Sequence, residues 1–138
     1  MTKNKNLLIT GAATRIGEAL AIYFAKRGWN IGIHYFRSSS KAKKLKKTIE
    51  QYWGKATLIK ADLRNPKQVE KILPIAQKKL GTIHCLINNA ALFEKDDILN
   101  FTNKSWNDHL NINLFAPTIL IRQFVKQASK KNISNIIN

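Results

Sequence analysis

The segment Thr10-Gly11-Ala12-Ala13-Thr14-Arg15-Ile16-Gly17 joins an apolar run to a stretch of helical periodicity. Two glycines six residues apart are a weak sign in isolation. Between a first strand and a first helix they mean more. Gly11 lets the backbone approach a pyrophosphate, and the helix start behind it offers unpaired N–H groups and a positive dipole end. An ordinary tight turn is the competing reading. His34-Tyr35-Phe36-Arg37-Ser38 follows the second apolar run and contains no Asp or Glu. A dinucleotide fold that selects NAD usually has a carboxylate there to hold the ribose hydroxyls. Arg37 with Ser38 and Ser39 offers instead a cation and hydroxyl donors, which suit a 2′-phosphate. A hydrogen bond to a charged group is worth ~1.5–3 kcal/mol, so Arg37 implies roughly a tenfold to hundredfold preference for NADPH. Arg15 is placed to reach the same phosphate or the pyrophosphate, and His34 to border the cofactor. The bland alternative for Arg37 is a solvated loop arginine.

These residues need a scaffold, and the apolar pattern describes one. Strands are expected at 6–10, 30–35, 56–61, 83–88 and 133–137. Between the first two, Ile16, Ala19, Leu20, Tyr23 and Phe24 recur at helical spacing, and Gly28 closes the helix. A second helix, capped by Ser38–Ser40, carries Leu45, Ile49, Tyr52 and Trp53 on one face. Asn65-Pro66 starts a third helix, with Pro at the first helical position and a kink expected at Pro74. A long helix from about Ser105 to Lys130 is expected to bend near Pro117. Strand–helix alternation through five strands means βαβ units: an α/β, Rossmann-like, doubly wound parallel sheet.

At these residues the chain resembles the short-chain dehydrogenase/reductase family. Thr10-Gly11-x-x-x-Arg15-Ile16-Gly17 is similar to its cofactor loop, with Arg15 in place of the usual middle glycine. That variant, and His34-Tyr35-Phe36-Arg37-Ser38, resemble the pteridine reductase branch. Asn88-Asn89-Ala90-Ala91 resembles the family's Asn-Asn-Ala-Gly, with Ala91 departing from it. Asn113-Leu114-Phe115-Ala116-Pro117 carries the family's long-helix asparagine. The resemblance implies strand order 3-2-1-4-5. It implies NADPH binding by Gly11, Thr14, Arg15, Ile16, Gly17, His34, Tyr35, Arg37, Ser38, Asp62, Leu63, Asn89 and Ala90. Asp62 would accept from the adenine amino group, although capping of the turn into Asn65-Pro66 is its rival role. Asn89 and Ala90 would border the adenosine ribose. Asn113 would hold a water and main-chain groups in a proton relay, an auxiliary catalytic role.

The family's proton donor is a tyrosine with a lysine four residues later, assisted by a serine. Here Tyr23, Tyr35 and Tyr52 are followed at that distance by Arg27, Ser39 and Ala56. The expectation is therefore a partial NADP-binding Rossmann domain over residues 1–138, the N-terminal half of a carbonyl or pteridine reductase and inactive alone. The partners expected beside the cofactor are a complementary C-terminal fragment or a homo-oligomer. The alternatives are a non-catalytic NADPH-binding module and a basic interaction or nucleic-acid-binding protein on a repurposed fold.

Composition narrows the field. With 138 residues, 44% of them hydrophobic, the chain suits one domain that buries roughly 68% of its unfolded surface. No apolar run nears the ~18–20 residues that span a bilayer, so a cytoplasmic protein is expected. The net charge of +16 raises affinity for polyanions without specifying one. Lys41, Lys43, Lys44, Lys46 and Lys47 form a charge run that Leu45 and Ile49 mark as the solvated side of an amphipathic helix, with no aromatic interleaving. Cys85, His84 and His109 lack metal-ligand spacing; Cys85 reads as core and the two histidines as structural or exposed, and no metal is expected.

Overall fold

A computed structural model describes residues 5–128 and 134–138. Five parallel strands, β1 (Asn6–Ile9), β2 (Asn30–Tyr35), β3 (Ala56–Lys60), β4 (Cys85–Ile87) and β5 (Asn135–Ile137), form one sheet in the order β3-β2-β1-β4-β5. The helices are α1 (Arg15–Ala25), α2 (Ser39–Tyr52), α3 (Pro66–Leu80), α4 (Asn103–Leu110) and α5 (Ala116–Gln127), with a π-helical turn over Asn111–Phe115. Ile133 and Lys130, expected at a strand start and a helix end, lie outside the described residues.

Both faces of the sheet are covered, which is why its strands are apolar throughout rather than alternating. Leu7, Ile9, Ile31 and Ile33 point to one face and pack with Ala21 and Ala25 of α1 and Leu45 and Ile49 of α2. Leu8, Ile59 and Leu86 point to the other and pack with Ile72 and Leu73 of α3 and Leu120 and Phe124 of α5. Leu8 lies opposite Gly32 in the β1–β2 register, and a Cβ at Gly32 would sit 3.1 Å from Leu8 Cδ1. The central strand thus seats a large side chain where its neighbour has none.

Two expected helix faces are corrected. On α1 the buried line is Gly17, Ala21 and Ala25, whereas Ile16 and Tyr23 are exposed and Ala19 faces out. Small residues at i, i+4 spacing let this helix sit closer to the sheet than the larger ones would allow. On α2 Leu45 and Ile49 are buried but Tyr52, the last helical residue, is exposed. Ser38 is at the N-cap of α2 without a capping side-chain bond.

The third helix starts as its sequence implies, with the Asn65 side chain accepting from the Gln68 N–H. It runs on through Pro74. Pro74 cannot donate to the Glu70 carbonyl. The Gln123 amide of α5 donates to that carbonyl instead, at 2.8 Å. The long-helix irregularity falls on residues 111–115, a π-helical turn just ahead of Pro117.

Candidate functional site

The turn after β1 is held from three sides. Gly11 has φ +63°, and a Cβ there would lie 3.1 Å from Ala90. A Cβ on Gly17 would lie 2.2 Å from the Gly11 carbonyl oxygen, so no side chain fits where α1 crosses the turn. The Asn89 amide donates to the carbonyls of Thr10 (2.9 Å) and Gly11 (3.2 Å), and the Ala90 N–H donates to Thr10 Oγ1 (3.0 Å). Asn89 and Ala90 therefore fix the loop to the end of β4. Arg15 adopts φ +52°, a left-handed value that glycine takes freely and arginine at a cost. This is the place where the family pattern has its middle glycine. Thr14 precedes α1 without a capping side-chain bond, so the first-turn N–H groups are not satisfied by their own cap.

His34 ties this turn to the next strand. Its Nδ1 accepts from the Gly11 N–H at 3.1 Å, which leaves Nε2 as the protonated nitrogen, donating to the Ala61 carbonyl at 3.1 Å. The ring is 2% exposed, and burial brings its pKa down to about 4, so it is neutral. The Gly11 carbonyl is left to Asn89, and the Ala12 N–H goes to the His34 carbonyl at 2.9 Å.

A cleft of about 440 Å³ opens at the C-terminal edge of the sheet. It brings together Gly11, His34, Arg37, Ser38, Asp62, Leu63 and Ala90 of the expected site. Thr14 and Arg15 line a neighbouring cleft of about 430 Å³ with Glu18, Lys41 and Lys44. Asn89 and Asn113 line a third, of about 330 Å³, beside β4 and α5. Ile16, Gly17 and Tyr35 line none of these; Tyr35 packs against the core under α1 and α2. Asn113 lies in the π-helical turn. Its Oδ1 accepts from the Leu92 N–H and its Nδ2 donates to the Leu92 carbonyl, both at 2.8 Å, so its amide is committed to that main chain.

The sequence reading missed the far wall of the main cleft. Arg64 forks onto Asp62, with Nε 2.9 Å from Oδ1 and Nη2 2.7 Å from Oδ2, and the Arg64 N–H donates to Oδ1 at 3.0 Å. Arg64 holds the Asp62 carboxyl below the usual carboxylate range, and Asp62 in turn raises the guanidinium. Arg64 Nη1 is 3.9 Å from Asp108 of α4, which also takes Lys104 at 2.5 Å. Its position two residues past Asp62 was a usable sign. The α4 partners had no local sign at all, because only tertiary packing brings them to the end of β3. Among the described residues Arg37 makes no ion pair; its guanidinium carbon is 5.4 Å from the Phe36 ring centroid.

The residues outside the clefts have structural roles. His84 Nδ1 accepts from the Asn6 N–H and His109 Nε2 from the Glu94 N–H. Cys85 is buried, and its thiol is pushed up to about 11 by desolvation. Among the described residues no group of His, Cys, Asp and Glu is arranged to hold a metal, and no helix is long and apolar enough to cross a membrane.

Comparison with known proteins places this geometry. The family model for short chain dehydrogenase matches residues 5–138. A curated relative, 3-oxoacyl-[acyl-carrier-protein] reductase FabG of Staphylococcus epidermidis, is 25% identical over 135 residues, covering 98% of this chain and 55% of the relative. The crystal structure of FolM Alternative dihydrofolate reductase 1 from Brucella suis in complex with NADP superposes with a TM-score of 0.91 at 29% identity, covering 96% of this chain and 55% of that one. A blue fluorescent protein from a metagenomic library, in complex with NADPH, gives 0.90 at 28% identity, covering 98% and 56%. The chain thus spans about half the length of the relatives it matches.

Proposed function

The chain belongs to the short chain dehydrogenase family, and from that premise we propose that it is the NADPH-binding portion of a cytoplasmic carbonyl or pteridine reductase. The observation that carries this reading is a turn with no room for a Cβ at Gly17, opening beside a β2 end that holds Arg37 and Ser38 and no carboxylate. The residues fit the group. The cleft has the size of a cofactor subsite, the α1 start lacks a side-chain cap and so suits a pyrophosphate, and Arg37 makes no ion pair among the described residues. Similarity to proteins crystallised with NADP and NADPH supports the same choice.

In this reading Gly11, Thr14 and Arg15 receive the pyrophosphate, with Ile16 and Gly17 shaping the helix start behind them. Arg37 and Ser38 receive the 2′-phosphate. His34 and Tyr35 support that end of the site, Asp62 and Leu63 border the adenosine, and Asn89 and Ala90 hold the loop. Bound NADPH supplies a hydride. Asn113 positions the Leu92 main chain beside the reacting end. A proton donor has to come from elsewhere, since no Tyr-x-x-x-Lys occurs in these 138 residues. The reading therefore includes a further stretch of polypeptide that carries the donor and completes the site, and binding without turnover by these 138 residues alone. That missing pair also favours a second reading, a purely NADPH-binding module.

Titration with NADPH and NADH, followed by tryptophan fluorescence, tests it. Saturable NADPH binding is expected, with NADH weaker by roughly tenfold to a hundredfold and the difference lost in Arg37→Ala. A folded sample that binds neither nucleotide rules the reading out. Restored carbonyl reduction on adding a fragment with the Ser and Tyr-x-x-x-Lys would select the enzyme over the module.

A further inference from the structure

The cleft lined by Thr14, Arg15, Glu18, Lys41 and Lys44 is built from two helices and is unbalanced in charge. Arg15 opens α1, while Lys41 and Lys44 stand three residues apart near the start of α2, as neighbours on its surface. Three cations therefore meet one carboxylate, and among the described residues none of the four takes part in an ion pair. Like charges lining one cleft repel, and an anion between them relieves that repulsion. The excess of two positive charges matches a phosphate monoester, which carries about −1.5 to −2 near pH 7, better than a diester phosphate. Arg15 holds its charge there at a backbone cost, with φ +52°. Ser38, the α2 N-cap, lines the main cleft and Lys41 lies in the first turn behind it, so the start of this helix borders both clefts. Lys43 and Lys47 of the same helix line a different hollow, with Lys46, Glu50 and Gln51.

Resting on the NADPH reading, we propose that Lys41 and Lys44 determine cofactor specificity: they seat the 2′-phosphate from the α2 side, across from Arg15, while Arg37 and Ser38 hold it from the β2 end. The lysine ammonium groups are point charges on flexible stems and reach the phosphate without a fixed geometry. NADH carries a hydroxyl at that position and gives them nothing to neutralise. Preference for NADPH is then set by α2 as well as by the loop after β2.

Two double variants that remove the same charge from the same helix separate this from a general effect of the basic surface. Lys41→Ala with Lys44→Ala, and Lys43→Ala with Lys47→Ala, are titrated with NADPH and with NADH after circular dichroism has checked their folding. The first pair is expected to weaken NADPH by about three- to tenfold and to leave NADH within about twofold. The second pair is expected to leave both nucleotides within about twofold, because Lys43 and Lys47 border another hollow. Lys41→Arg with Lys44→Arg keeps the charge and should keep the preference. Equal weakening of NADPH and NADH would put the lysines on the pyrophosphate that the two share, and would overturn the proposal. Equal losses in the two alanine pairs, or unchanged NADPH binding in the first, would overturn it too. If the unsubstituted chain binds neither nucleotide, the cofactor reading itself fails and the proposal falls with it.

Discussion

His34 shows how one side chain serves both stability and the site. Its two ring nitrogens join the Gly11 N–H to the Ala61 carbonyl, and it does so only while neutral. Its folded pKa is about 4 against 6.5 in the unfolded chain, so the unfolded state binds more protons between those values. The stabilisation is complete above pH 6.5 and is lost as pH falls toward 4, with about 3 kcal/mol at stake over the full shift. Urea unfolding at pH 7 and pH 4.5 is expected to show this loss. His34→Gln retains a donor and an acceptor without titrating, so its midpoint should change much less over that interval. Equal pH dependence in both proteins would place the proton elsewhere.

At the scale of elements, α3 and α5 are joined by polar bonds that compensate for backbone irregularity. Gln123 serves the carbonyl that Pro74 leaves without a donor. Four residues on, Gln127 accepts from the Gln77 amide and the Ile83 N–H, and donates to the Ile83 carbonyl at 2.6 Å, so α5 also fixes the entry to β4. Gln123→Ala is expected to cost about 0.5–1.5 kcal/mol in chemical denaturation. In a Pro74→Ala background the substituted residue regains an N–H that can donate to the Glu70 carbonyl, and the same change should cost measurably less. Equal costs in the two backgrounds would show that Gln123 acts by packing alone.

For the whole molecule the decisive feature is uneven covering. No residue of α4 is buried, and the segment around it exposes Phe93 (90%), Leu99 (92%), Ile98, Trp106, Leu114 and Phe115. Among the described residues β5 pairs only with β4 and leaves Ile137 half exposed. Apolar surface of this extent, next to an unpaired strand edge, favours association despite the net charge of +16. Size exclusion with light scattering is expected to show oligomers or aggregates of the 138-residue chain. Replacing Leu99 and Phe115 by Lys should shift it toward monomer with the far-UV spectrum unchanged. A monomeric, cooperatively melting, unsubstituted chain would contradict this.

Local physics made much of the molecule legible beforehand. Continuous apolar runs marked strands covered on both faces, Asn65-Pro66 marked a helix start, and Gly11 and Gly17 marked the turn, because each depends on residues adjacent in the chain. The parallel order β3-β2-β1-β4-β5 agrees with the family resemblance. Helix faces were less readable: Ile16 and Tyr23 have the periodicity of a core, yet the sheet takes the small residues of α1, since close approach buries more of its surface. What only the tertiary structure decided was partnership at a distance. Asp62 can be read as an acceptor from its place after β3, but both of its oxygens also accept from Arg64, whose guanidinium approaches Asp108 of α4 at 3.9 Å. His34 can be read as bordering the cleft, but its buried ring is bonded on both sides to backbone that only the folded sheet brings together. Composition and spacing determine which groups are available; which of them bond to one another depends on the fold, because only folding brings donors and acceptors distant in the chain within bonding distance.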